Sequence, residues 1–381
     1  MLAKETLPQV SETTVREVCP SNAKALRSFV ALERSWIGSN PLFISETDAD
    51  VIKRLSGRSE FFSEMEHTLF VASSGGREVA RCAALVNLKY QKDKNERVGF
   101  IGYFAALPGE QLGVRALFER SEAWLKDRGV DRIIAPFNGA AILGAGTRSA
   151  AYDEDPMFPF GWQPPYYTEY LVASGYKPTY PFWYYTIGFR SDSYQAVKSR
   201  ASENKKVLVR PINKKLWTKD LEIFRVLFNE CFRDEWEFHP QTSGEFHEFF
   251  DPIKPVLDPR QMLIGEVEGQ PAGFCLGMPD WNPLFRSFKG KLGPIQVVRL
   301  MLGAKRYRRA GLLGIGALPA YRGTGVAQCL AIALYSRYEE LGLKEAFYYP
   351  VNENNTRSRS FAESMGGTGR VLAHCYDKRA R

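Results

Sequence analysis

The alternation of apolar and polar positions spells a strand–turn–strand unit twice. Leu69-Phe70-Val71-Ala72, a turn at Gly75-Gly76 and Glu78-Val79-Ala80 form the first. Met262-Leu263-Ile264-Gly265, a turn at Glu268-Gly269 and Gln270-Pro271-Ala272 form the second. An apolar segment suited to a buried strand follows each, at 97–102 and 309–314. A helix is predicted next in both halves. Val114, Leu117, Phe118, Ser121 and Leu125 share one face, as do Val326, Cys329, Leu330, Ala333 and Leu341, and Gly129 or Gly342 stops each helix. Each half then closes a strand on Pro-x-Asn, at Pro136-Phe137-Asn138 and Pro350-Val351-Asn352. A short helix ends in Ser174-Gly175-Tyr176 and in Met365-Gly366-Gly367. Landmarks recurring in one order predict a duplicated unit, with its boundary in the polar stretch 191–206: a first lobe over 1–192 and a second over 207–381. The spacing lengthens at 138–167 in the first half and at 279–309 in the second, which places an added segment in each.

Composition narrows the class. A chain of 381 residues that is 44% hydrophobic, 25% charged and 13% aromatic is globular and long enough for two cores. No run reaches the roughly 18–20 apolar residues of a membrane span. Residues 1–6 lack an apolar stretch after their charge, so a secretory signal is not expected and a cytoplasmic location is. Six cysteines without a CxxC pair and four scattered histidines predict buried free thiols, with neither a metal site nor a disulfide framework.

The most specific signal is Ala317-Leu318-Pro319-Ala320-Tyr321-Arg322-Gly323-Thr324-Gly325-Val326-Ala327. A strand ends, two glycines turn the chain, and an amphipathic helix begins at once. Glycines let backbone amides point inward at close range, and the free N–H groups at a helix start make an anion site. Arg322 adds a cation for a diphosphate. The pattern is neither the lysine-bearing P-loop nor GxGxxG.

Arg322-x-x-Gly325-x-Ala327 resembles the acyl-CoA pyrophosphate loop of the GNAT superfamily of N-acyltransferases, and Asn355 with Gly366 resembles that superfamily's next motif, over roughly 262–376. The resemblance implies an α/β (α+β) chain of two tandem GNAT-like lobes, each a mixed, splayed sheet flanked by helices. It also implies an acyl-CoA or acetyl-CoA co-substrate, with the pantetheine along 315–318, the pyrophosphate on the amides of Arg322, Gly323, Thr324, Gly325, Val326 and Ala327, and Asn355 on the pantetheine amide. Ala317 and Leu318 are candidates for the oxyanion. The sequence departs from the pattern at Ala362, where many GNAT enzymes carry a thiolate-protonating tyrosine. Its first half reads Pro108-Gly109-Glu110-Gln111-Leu112-Gly113 where the loop would be, which marks that lobe as degenerate. The segment 229–240, Pro165-Tyr166-Tyr167 and the basic stretch after Trp281-Asn282 are similar to a tandem GNAT-like bacterial family related to the bacterial ceramide synthases. The sequence departs from that family's patterns near Tyr103 and Glu353.

Amide formation from a thioester needs a positioned amine, a base, an oxyanion donor and a proton for the thiolate. Glu237 and His239 are the candidate bases, with solvated or capping roles as the alternative. Tyr376 is the candidate for the thiolate proton, with packing on the sheet as the alternative. No Ser-His-Asp or Cys-His pattern is readable, so direct attack is expected over an acyl-enzyme.

The net charge of +8 is matched by Arg286, Lys289, Lys291, Arg299, Lys305, Arg306, Arg308 and Arg309 in the insertion at 281–309, where 286–309 holds no acid. Leucines, valines and phenylalanines interleave with them. Peripheral contact with an anionic membrane or a lipid acceptor's entrance, a tRNA contact, and a packed helix with a solvated basic face are the three readings. The expected activity is N-acyl transfer from acyl-CoA to a small-molecule or lipid amine. The alternatives are an aminoacyl-tRNA or carrier-protein donor and a non-catalytic ligand-binding protein.

Overall fold

A computed structural model describes residues 12–380; the stretch 1–6 read for a signal lies outside them. The first half runs β1 (Thr13–Val18), α1 (Ala23–Ile37), α2 (Asp48–Leu55), β2 (Met65–Ser74), β3 (Arg77–Asn87), α3 (Leu88–Lys94) and β4 (Val98–Ala106). It continues with α4 (Gln111–Lys126), β5 (Arg132–Ala135), β6 (Thr147–Arg148), α5 (Tyr166–Ala173) and β7 (Lys177–Gly188). Helix α6 (Asp192–Glu203) leads to β8 (Val207–Pro211), α7 (Trp217–Phe232), α8 (Ser243–Phe250), β9 (Met262–Val267) and β10 (Gln270–Pro279). Then come α9 (Asn282–Phe288), α10 (Pro294–Gly303), β11 (Ala310–Ala317), α11 (Val326–Glu340), β12 (Glu345–Asn352), α12 (Thr356–Ser364) and β13 (Thr368–Arg379).

The matched landmarks become matched elements: β2 and β3 with β9 and β10, and β4-α4-β5 with β11-α11-β12. The strands form one mixed sheet in the order β1-β2-β3-β4-β5-β13-β7-β12-β11-β10-β9-β8, with β6 against β13. Within it β4–β5 and β11–β12 are parallel.

The halves exchange their last strands. β13 ends against β5 of the first half, Tyr376 opposite Ala135, and β7 of the first half lies against β12, Ile187 opposite Ala346. The exchange follows the apolar side chains. Ile187 and Phe189 bury in the core that holds Leu330, Leu334 and Tyr335 of α11, whereas Tyr376 buries with Phe118 and Tyr167 in the first half. The polar stretch 191–206 carries α6, whose Tyr194 and Val197 bury in the same core as α11. Four cysteines are buried, Cys231 is half-buried, and Cys19 is exposed, contrary to the expectation of a buried thiol, with its sulfur 3.0 Å from Ser21 Oγ.

Both parallel pairs splay apart. β4 and β5 are in register from Val98–Arg132 to Phe100–Ile134, and β11 and β12 only at Gly311–Phe347 and Leu312–Tyr348. Splaying strips backbone groups of their ladder partners, and such groups must be met by something else. In the first half the chain meets them itself. Asn138 Oδ1 accepts the Tyr103 N–H at 2.8 Å, its Nδ2 donates to Leu143 O at 3.0 Å, and Phe137 N–H donates to Ile101 O at 2.9 Å. The approach is so close that a Cβ on Gly102 would lie 2.4 Å from Phe137 O. At the head of α4, Tyr170 Oη accepts the Glu110 N–H at 2.9 Å and donates to Leu107 O at 2.6 Å, while Tyr167 Oη accepts the Ala106 N–H at 3.2 Å. The first splay is therefore plugged.

Asn138→Ala would leave the Tyr103 amide unpaired, a loss of about 1–3 kcal/mol. Chemical denaturation is expected to show a lowered midpoint with an unchanged slope.

Candidate active site

The second splay stays open, and the glycine turn stands at its rim. Gly323 and Gly325 have φ of +81° and +87°, the left-handed region that favours glycine. The first bond of α11 is Cys329 N–H to Gly325 O at 2.9 Å. Among the described residues no acceptor meets the amides of Gly323, Gly325, Val326, Ala327 or Gln328. The expected set loses two members: Arg322 N–H turns to Pro319 O and Thr324 N–H to Tyr321 O, both at 3.3 Å. Asn204 Nδ2 braces the turn from behind, donating to Thr324 O at 2.8 Å. Arg322 is exposed, and no ion pair engages it among the described residues. Open amides, a helix's positive end and a free guanidinium fit a diphosphate.

The turn opens onto a cleft of about 510 Å³ bounded by Cys231, Glu235, Ile315, Ala317, Tyr348 and Asn355. Leu318 departs from expectation, because its N–H donates to Ala272 O of β10 at 2.9 Å. Backbone direction alternates along a strand, so the amides of Ala317 and Ile315 face the opposite side, into the splay. The strand lies close on α7 here, since a Cβ on Gly316 would sit 2.5 Å from Cys231 Cβ. Burial pushes the Cys231 thiol up to about 12, which keeps it neutral and a poor nucleophile.

The segment after α7 carries two carboxyls, and neither is a freely solvated helix-end charge. Glu235 lines the cleft, and burial raises its pKa. Glu237 stands behind the cleft wall rather than in it, half-buried, and accepts from Asn352 Nδ2 at 2.7 Å. Desolvation, with the neighbouring Glu235 charge, lifts Glu237 to about 7 despite the bond from Asn352. The first half fixes this segment: Tyr90 Oη donates to Trp236 O at 2.7 Å and Lys94 Nζ to Arg233 O at 3.0 Å. Lys89 forms an ion pair with the buried Glu245, which completes a capping box at Thr242.

His239 is 1% exposed, with Nε2 3.4 Å from Asn87 Nδ2 and Nδ1 without a partner. Desolvation lowers it to about 4, so it stays neutral, and it is not part of the cleft wall. Tyr376 lies farther still from its expected role. It is 3% exposed in the first half's core, away from the cleft wall, because the exchange of β13 carries it there. Asn355 does reach the cleft, but its Oδ1 accepts the Ser358 N–H at 2.9 Å to cap α12, and its side chain also bonds Glu235.

Three residues escaped the sequence reading. Tyr348 stands on the last rung before the splay, hydrogen-bonded to Ser358, with burial pushing its hydroxyl above the usual tyrosine range. Asn352 holds Glu237, and Cys231 floors the cleft. The only signal for the first two was their place on the strand that closes on Pro-x-Asn.

Residues 221–366 match the family model of the acetyltransferase (GNAT) family. A bacterial ceramide synthase of Caulobacter vibrioides is 26% identical over 377 residues, covering 93% of this chain and 94% of that protein. The protein YghO of Escherichia coli is 24% identical, covering 94% of this chain and 93% of its own length. A solved tandem GNAT protein from the clavulanic acid biosynthesis pathway superposes with a TM-score of 0.55 at 12% identity, over 97% of this chain and 99% of that one. That likeness shows a shared fold.

Because the folded Glu237 pKa stands above the ordinary 4.5, its contribution to stability is lost as pH rises from that value through about 7. Glu237→Gln is expected to melt higher than the native protein above about pH 7, with the gain vanishing below 4.5, as read by thermal scans across pH.

Proposed function

Since residues 221–366 match the acetyltransferase (GNAT) family, we propose that the second lobe transfers an acyl group from acyl-CoA to an amine by direct attack. The carrying observation is the set of unpaired amides at Gly323, Gly325, Val326 and Ala327 at the edge of an open splay. The twin splay, in which every comparable group named above is consumed internally, makes a purely structural reason for the opening a poor account. These amides and Arg322 hold the diphosphate, and the free edge of Ile315 and Ala317 pairs with the pantetheine amides and carbonyls.

Glu237 takes the proton of the bound ammonium, for which a pKa near 7 suits a base at neutral pH. The amine nitrogen then attacks the thioester carbonyl, whose oxyanion finds backbone N–H groups of the splay. Collapse breaks the carbon–sulfur bond. Tyr348, held protonated by burial, donates to the thiolate in place of the tyrosine missing at Ala362, and the proton that the attacking nitrogen sheds as the amide forms restores it. His239 keeps the segment packed. The name of the Caulobacter relative supports a lipid amine as acceptor.

Thermal shift tests the donor. Acetyl-CoA or palmitoyl-CoA in hundredfold excess over Kd is expected to stabilise by about 2.7 kcal/mol, and Arg322→Glu and Gly325→Glu to lose the shift. Absence of any shift, with tight binding of aminoacyl-tRNA, would replace acyl-CoA as donor. Turnover tests the base: kcat/KM is expected to rise through about pH 7. Glu237→Gln is expected to lower kcat by about 10²–10⁴ and abolish the rise. A normal pH limb in that variant, with loss in Glu235→Gln instead, would move the base to Glu235.

A further inference from the structure

A helix on the surface of a soluble protein turns its apolar stripe inward and its polar face to water. Helix α10 does the reverse. None of its residues is buried, and its outward side carries Ile295 at 72% exposure, Leu302 at 72%, Met301 at 55% and Val298 at 54%. Leu292, just before it, is exposed as well. Of its apolar side chains Leu300 reaches inward, to a small core with Trp281, Met278 and Leu313, while Arg299 lies over the ring of Phe288.

The mount is firm. Trp281 Nε1 donates to Ala304 O at 3.0 Å, Asp48 N–H donates to Gly290 O at 2.8 Å, and Arg286 pairs with Asp155. The apolar face is thus held out by a fixed platform. Around it stand Lys289, Lys291, Arg299, Lys305, Arg306 and Arg308, all exposed, with no ion pair to any described residue. Residues 286–309 contain no acid.

We propose that α10 and its basic rim form a docking surface for an anionic lipid bilayer, with Ile295, Val298, Met301 and Leu302 entering the acyl boundary and the six cations at the headgroups. Charge complementarity selects this occupant. A second copy of the chain would bring the same six cations against themselves, and a nucleic acid would leave the apolar face in water. No helix among the described residues is long and apolar enough to cross a membrane, and the proposed contact is a peripheral one. The proposal concerns the surface alone and does not depend on the acyl donor or on Glu237.

Sedimentation of the full chain with phosphatidylglycerol-containing or pure phosphatidylcholine vesicles tests it. The native chain is expected to pellet with the anionic vesicles and to remain in solution with neutral ones. At roughly fivefold in affinity per surface cation, Arg306→Ser with Arg308→Ser is expected to weaken binding about twenty- to thirtyfold. Ile295→Ser with Leu302→Ser is expected to abolish binding even at low salt. Both pairs are exposed, so the folded state, checked by an unchanged melting temperature, survives. Unchanged partition in either variant overturns the proposal. So does a native chain that ignores anionic vesicles but binds tRNA, or one that sediments as a dimer dispersed by the serine pair.

Discussion

A pair of parallel strands that separate after one or two rungs leaves donors and acceptors facing a gap. A backbone group cannot remain dry and unpaired without losing free energy comparable to a hydrogen bond. Gly311 and Leu312 are the last residues of β11 in register with β12, and beyond them Ile315 and Ala317 face open space. The glycine turn, the start of α11 and the carboxyls after α7 all gain their relevance from that gap. Without it they would be a helix cap and two awkward buried acids.

The first half shows the alternative. The same divergence between β4 and β5 is closed by Asn138, by the return of 137–146 and by hydroxyls of α5. What remains of that half serves as a holder. Its α3 grips the segment of Glu237 through Tyr90 and Lys94 and the following α8 through Lys89, and its β7 borders β12. One half keeps the opening, while the other closes its own and braces the segment that follows α7.

The periodic elements were legible because period and punctuation are local. Gly75-Gly76, Gly129 and Gly342 delimit elements in the sequence as they do in the structure, and Gly323 with Gly325 announced a turn that needs positive φ. Partner choice was not legible. The apolar alternation of β13 is compatible with either half's core, and only its pairing with β5 puts Tyr376 in the first. Leu318 failed for a related reason: composition says nothing of which way an amide points, and one bond to Ala272 decides it. Glu237 was legible as a carboxyl after a helix. Its elevated pKa, however, comes from burial and from Glu235, against the opposing bond from Asn352, and the fold alone brings these together.

The crossing of β7 and β13 between the halves has a further meaning for how such a chain came to be. Side-by-side copies of an ancestral unit could each have been deleted or replaced without loss to the neighbour. Once their closing ribs were traded, neither copy could be inherited alone, since each would lack a stave that only its sibling encodes. A copy whose own splay is plugged is thereby still required by architecture, through the strand it lends and the strand it borrows.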